Sequence, residues 1–183
     1  MNVIQTPLEG LLIIEPRVFN DDRGYFFESF NEQAFERATG FTNKFVQDNQ
    51  ARSTINVLRG LHYQNAPNAQ TKLVRVLEGA IWDAVVDIRP DSKTFGQWFG
   101  VELSAENKRQ FLVPRGFAHG YSVLTETAEV FYKCDNFYSK SDEGGVLYND
   151  PSLSIDWKID LQHAIVSDKD LVQPLFKDAV YRF

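Results

Sequence analysis

The sequence predicts an all-β domain, a sandwich or a barrel. Three observations lead there. Apolar runs are short and closely spaced, turn-forming residues separate them, and strand-favouring side chains are plentiful. Aromatics make up 14% of the 183 residues, 15 of them Phe. Hydrophobic residues reach 43%, a globular composition able to bury a core. The length suits one domain spanning residues 1–183, because composition stays even and no repeat, linker or low-complexity tract interrupts it.

Taken in order, the segments Leu11–Glu15, Gly24–Phe30, Lys44–Asp48, Val57–Gln64 and Lys72–Glu78 read as strands. So do Ile81–Ile88, Trp98–Leu103, Gln110–Val113, Ala118–Leu124 and Ala128–Phe137. Turn chemistry falls between them at Asn20-Asp21-Asp22, Asn65-Ala66-Pro67-Asn68, Pro90-Asp91-Ser92 and Pro114-Arg115-Gly116. Asn31–Thr39 is the clearest helix: Asn31 is a natural N-cap, Glu32 suits the first turn and Gly40 ends it. A second short helix begins after Ser167.

Strand parity assigns faces. Leu58, Gly60, His62 and Gln64 fall on one side of their strand, Lys72, Val74 and Val76 on one side of theirs, and Ala128, Val130, Tyr132 and Cys134 on one side of a third. A hairpin-like connection between residues 64 and 72 would make the strands of His62 and Lys72 neighbours. Pointing inward, the two would meet inside a barrel, whose mouth is a common ligand site.

Several function classes are excluded. A formal net charge of −6 does not suit a nucleic-acid surface, though local Arg and Lys can still hold a small anion. One cysteine, Cys134, allows no intrachain disulfide framework. No run reaches the ~18 apolar residues of a membrane span, and the N-terminus has no basic stretch followed by an apolar one. A soluble cytoplasmic protein is expected. There is neither a phosphate-binding P-loop nor a dinucleotide fingerprint.

The chemistry-bearing residues are few. His62 lies in Arg59-Gly60-Leu61-His62-Tyr63-Gln64. An isolated strand histidine is either packed in a core with one hydrogen bond or placed for proton transfer, and composition alone leaves both readings open. His119, after Gly116-Phe117-Ala118, is equally open between turn and cavity wall. Three histidines without a His-x-His pair do not suggest a metal site, and His163 reads as surface. Arg59 and Lys72, within or at the start of apolar strands, need a partner or ligand if buried. Arg23 sits beside Asp21 and Asp22 and reads either as their ion-pair partner or as an anion binder. Tyr132 and Tyr138 are ordinary strand or loop aromatics by themselves. Asp170, if it reached His62, would orient the imidazole and stabilise its protonated form.

Together these residues form a family pattern. The ordered blocks include Asp22-Arg23-Gly24-Tyr25-Phe26-Phe27-Glu28, Phe45-Val46-Gln47-Asp48-Asn49, Val57-Leu58-Arg59-Gly60-Leu61-His62-Tyr63-Gln64, Gly116-Phe117-Ala118-His119-Gly120 and Ser167-Asp168-Lys169-Asp170. Nearly end to end, the sequence resembles the dTDP-4-dehydrorhamnose 3,5-epimerases. The resemblance implies a cupin-like double-stranded β-helix, or jelly-roll, barrel with a few short peripheral helices. It also implies metal-free, cofactor-free proton transfer at C3 and C5 of a dTDP-4-keto-6-deoxy sugar.

Carried over residue by residue, the resemblance makes His62 the base, Asp170 its partner, Lys72 the stabiliser of the enolate oxygen and Tyr132 the acid on the opposite ring face. Arg23, Glu28, Gln47, Asp48, Asn49, Arg59, Lys72, His119, Glu143 and Lys169 match substrate contacts. Arg23 and Arg59 suit the diphosphate, Tyr138 stacks on thymine, and Phe19 and Phe26 complete an apolar wall. The resemblance further implies a homodimer with N-terminal strand exchange. Two departures, Arg115 for an acidic residue and Tyr148 for a Trp, touch no chemical position. Alternative outcomes on this scaffold are epimerisation at C3 or C5 alone, 3,4-ketoisomerisation, and passive binding of a sugar nucleotide.

Overall fold

The computed structural model describes residues 1–183. Its strands are β1 (Asn2–Gln5), β2 (Leu12–Glu15), β3 (Phe19–Asp21), β4 (Gly24–Phe26), β5 (Gln47–Thr54), β6 (Leu58–Gln64) and β7 (Lys72–Glu78). There follow β8 (Ala80–Asp87), β9 (Trp98–Ser104), β10 (Gln110–Val113), β11 (Phe117–Val123), β12 (Thr127–Cys134) and β13 (Glu143–Gly145). A six-stranded sheet in the order β1-β2-β10-β7-β12-β5 faces a five-stranded sheet, β13-β6-β11-β8-β9; β3 and β4 form a separate hairpin. All these ladders are antiparallel. This is the all-β barrel expected from the strand pattern.

The core lies in three layers, and strand periodicity explains each. Between the sheets, inward residues such as Val74, Val76, Val85, Phe111, Tyr121 and Val130 form a cluster of 16 buried residues. Behind the five-stranded sheet, Leu58, Leu61, Tyr63, Val86 and Ala118 pack under the C-terminal segment, whose Trp157 is almost wholly buried. Behind the six-stranded sheet, Leu12, Ile14, Leu73 and Leu112 meet Phe35 of the helix α1 (Glu32–Thr39). That helix is bounded as expected: Asn31 Oδ1 accepts from Ala34 N at 3.0 Å, and Gly40, at φ 75°, donates its N–H to Glu36 O.

Three expectations about strands need correction. The segments bearing His62 and Lys72 are not hairpin neighbours. β6 belongs to the five-stranded sheet and β7 to the six-stranded one, so residues 65–71 cross from one sheet to the other. Second, the expected strand at 44–48 starts at Gln47 and runs to Thr54. Its inner residues, Gln47, Asn49, Ala51 and Ser53, are small or polar, so no apolar run marks it. Third, parity fails along β6. His119 pairs with His62 but Tyr121 with Arg59, so one residue of β11 opposes two of β6, Gly60 and Leu61. This β-bulge resets the alternation. Leu58 and Leu61 then face the outer cluster, while Arg59 and His62, three apart, both face inward.

Candidate active site

One end of the barrel interior is hollow. A cavity of about 430 Å³ is lined by Ala51, Val57, Leu58, Arg59, His62, Lys72, His119, Gly120, Tyr121 and Tyr132, with Ile165, Val166, Ser167, Lys169 and Asp170 along one rim. A second cavity of about 180 Å³ adjoins it and shares His62, Lys72 and Tyr132; its other walls include Gln47, Asn49, Gln64, Gln70, Tyr138 and Glu143. The three shared residues therefore stand where the two spaces meet.

His62 reaches this junction because of the bulge at Gly60. Its Nε2 lies 2.5 Å from Asp170 Oδ1. Asp170 belongs to a short helix, α2 (Asp168–Leu171), capped by Ser167, whose Oγ accepts from Asp170 N at 3.2 Å. The second carboxylate oxygen accepts from Gly60 N at 3.2 Å. Burial raises the Asp170 carboxyl's pKa, but the bonds to His62, Gly60 and Ser167 outweigh it and leave the group below its ordinary range. A charged carboxylate 108 residues away in sequence thus fixes one ring nitrogen of His62 and leaves the other for the cavity.

Lys72 and Tyr132 come from the opposite sheet, on the paired strands β7 and β12. Lys72 Nζ lies 5.9 Å from the centre of the Tyr132 ring. Burial lowers the Lys72 pKa, while Cys134, Asp83 and Glu143 pull it back up. Burial raises the Tyr132 phenol to about 12, helped by Cys134 and Tyr121, so it remains a protonated donor at neutral pH. His119 is buried, with Nε2 at 2.8 and 3.0 Å from the two oxygens of Asp83. At the rim, Lys169 pairs with Glu143, whose other oxygen accepts from Tyr138 OH at 3.3 Å.

Of the residues singled out in sequence, the structure gathers His62, Lys72, Tyr132, Asp170, Arg59, His119 and Lys169 around the larger cavity, and Gln47, Asn49, Tyr138 and Glu143 around the smaller. Five lie elsewhere. Asp48 faces outward on β5 and pairs with Lys133 at 3.0 Å. Phe19, Arg23 and Phe26 sit on the exposed β3–β4 hairpin, and Glu28, just after it, accepts from Asn31 Nδ2. Arg23 pairs with Asp21 at 2.6 Å, as its acidic neighbours suggested. Neither cavity touches any of the five. Conversely, Tyr121 lines the larger cavity and Gln64 the smaller, while Ser53 and Asp83 hold Arg59 and His119; none carries a chemical signal in sequence until the ladders fix its neighbours. No group of three or more His, Cys, Asp and Glu side chains converges as a metal site would require. No helix is long and apolar enough to cross a membrane.

Comparison with known proteins agrees with this arrangement. Residues 5–178 match the family model described as dTDP-4-dehydrorhamnose 3,5-epimerase. The Shigella flexneri protein of that name is 55% identical over 181 residues, 99% of either chain. The crystal structure of an Elizabethkingia anophelis dTDP-4-dehydrorhamnose 3,5-epimerase is 58% identical, covers 97% of both chains and superposes with a TM-score of 0.94. A Legionella pneumophila dTDP-6-deoxy-D-glucose-3,5-epimerase, solved in complex with dTDP-4-keto-L-rhamnose, is 47% identical, covers 100% of this chain and 98% of its own, and gives a TM-score of 0.95. With an all-β barrel, a His–Asp pair facing a Lys–Tyr pair across its hollow end, and relatives similar over the whole length, the chain belongs to the dTDP-4-dehydrorhamnose 3,5-epimerase family.

Proposed function

We propose that this site carries out the family's reaction, inversion of C3 and C5 in dTDP-4-dehydro-6-deoxy-D-glucose, with His62 as base and Tyr132 as acid. The observation that carries this reading is the placement of those two side chains on facing sheets. A sugar ring held between them meets a base on one face and a proton donor on the other. The C4 ketone makes the neighbouring C–H bonds acidic, since the electron pair left behind delocalises onto the ketone oxygen. With Nε2–H donated to Asp170, His62 keeps its Nδ1 lone pair for the proton, and the Asp170 carboxylate stabilises the imidazolium that forms. The Lys72 ammonium offsets the enolate charge. Reprotonation of the carbon by Tyr132 from the other face inverts the centre, and solvent restores both groups.

The test is incubation with the 4-keto sugar nucleotide in deuterated water. Deuterium is expected at both C3 and C5 by NMR, without added metal. Label at one carbon only would make the chain a single-site epimerase, and no label would sink the mechanism.

Four of the five implied substrate contacts outside the cavities, Arg23, Glu28, Phe19 and Phe26, are supported by their position if two copies of this one-domain chain pair. Phe19, Arg23 and Phe26 stand on the β3–β4 hairpin and Glu28 just after it, outside their own cavity, with Phe19 and Phe26 50% and 70% exposed. An exposed aromatic hairpin of this kind needs a partner surface, and a second copy would carry it to the neighbouring site. Sedimentation is expected to give the mass of a homodimer; a monomer at micromolar concentration would leave those four residues without a role. A reducing, cytoplasmic setting suits the lone Cys134, which is buried and unpaired.

A further inference from the structure

We propose that Tyr121 is a substrate-binding residue of this site, its hydroxyl donating a hydrogen bond to a phosphoryl oxygen of the nucleotide diphosphate beside Arg59. The inference deepens the reading above and rests on it. Tyr121 lies on β11 directly opposite Arg59 of β6 on one side and Asp83 of β8 on the other. Cross-strand partners share a face, and here that face is the barrel interior, where Tyr121 and Arg59 both line the larger cavity. The ring of Tyr121 packs in the inner core and the residue is only 5% exposed, yet its hydroxyl has no hydrogen-bond partner.

A buried hydroxyl without a partner opposes folding, and phenylalanine would fill the same ring volume without that cost. Neither of the polar groups nearest to it bonds the Tyr121 hydroxyl. Asp83 accepts from His119 through both oxygens, and Ser53 Oγ accepts from Arg59 Nε at 3.1 Å. The hydroxyl is thus free to meet a ligand in the cavity that Tyr121 lines.

Its chemistry is set by the neighbours. Burial raises the Tyr121 phenol, and the Arg59 charge and the nearby Ser53 hydroxyl only partly oppose this, so the group is a protonated donor at neutral pH. Arg59 spends Nε on a neutral hydroxyl and has no carboxylate partner. An unpaired guanidinium beside a free O–H donor selects an anionic oxygen over a sugar hydroxyl. In a nucleotide sugar that oxygen belongs to the diphosphate.

The test is Tyr121→Phe, measured three ways. Titration calorimetry with dTDP, which has the diphosphate but no hexose, is expected to show affinity falling roughly 10-fold to 100-fold, the effect of losing one hydrogen bond to a charged group. KM for the 4-keto sugar nucleotide should rise in parallel while kcat stays within about two-fold, because a bond made equally in ground and transition states affects binding alone. The melting temperature of the free protein should not fall, which separates this role from a structural one. Unchanged dTDP affinity would overturn the proposal, and would do so even if KM rose, since the oxygen would then lie on the hexose. A fall in kcat at unchanged affinity, or a lowered melting temperature, would overturn it too. If the unaltered chain did not bind dTDP, the functional reading would fail and this one with it; binding by the unaltered chain that Tyr121→Phe leaves intact would sink this proposal alone.

Discussion

His62→Ala is expected to lower epimerisation by roughly 1,000-fold, within the range for a lost general base, and to stop deuterium uptake at both C3 and C5. Both effects should appear together, because the cavity junction offers no second group placed to replace it. Lys72 is the group assigned to the enolate oxygen, Tyr132 is protonated with its phenol at about 12, and His119 is tied to Asp83. Tyr132→Phe should behave differently: inversion fails while some exchange persists, since the base still removes and returns protons on its own face. The His62 variant also carries a stability signature through Asp170. That carboxyl lies below its ordinary pKa in the folded chain, so it adds stability above the unfolded value near 3.8 and loses it as pH falls through the lower folded value. Removing His62 removes a main cause of the lowering and leaves burial, which raises the pKa. The variant should therefore be less stable than the parent at neutral pH, and the gap should close in acid. Denaturant melts at a series of pH values would show this. Exchange at the normal rate in His62→Ala would place the base elsewhere.

Local chemistry made parts of this molecule readable in sequence, and long-range pairing hid the rest. The α1 caps at Asn31 and Gly40, the β10 boundaries at Gln110 and Val113, and the inward set Lys72, Val74 and Val76 follow from side-chain types within a few residues of each other. β5 was partly hidden because its inner face lines a polar cavity rather than the core, so hydrophobic period could not mark it. The crossing of residues 65–71 between sheets was hidden because a short polar connection looks the same in a hairpin and in a sheet-to-sheet passage. In the site, His62 became legible only through the company of Arg59, Tyr132 and Asp170 in a family pattern. Asp170 lies 108 residues from it, and no periodicity predicts that meeting. Tyr121 gave no signal at all, because an aromatic in a β-strand is ordinary until its hydroxyl is found without a partner.

The bulge in β6 gives the second large effect, expected for Gly60→Ala. Gly60 has φ of 121°, a conformation that residues bearing a Cβ rarely adopt. A methyl group there would stand 2.6 Å from Gly120 Cα and 2.8 Å from His119 O. Both are backbone atoms of the paired strand β11, so no flexible side chain can swing aside. Backbone strain and overpacking together should cost on the order of 3 kcal/mol or more. The chain has one escape, to give up the bulge and restore regular alternation. A one-residue change of register reverses every following side chain. His62 would then turn toward the outer layer occupied by Leu61 and Tyr63, away from Asp170 and Lys72. Either response removes the activity, one by unfolding and the other by misplacing the base. Gly40→Ala is the natural control: it has φ of 75° but nothing within 4 Å of the added carbon, and it closes helix α1 away from both cavities. It should show strain without collision and keep the His62–Asp170 contact. Melting curves and dTDP titration of the two variants, side by side, separate collision at the bulge from simple strain. A Gly60→Ala protein as stable and active as the parent would mean that the bulge does not place His62.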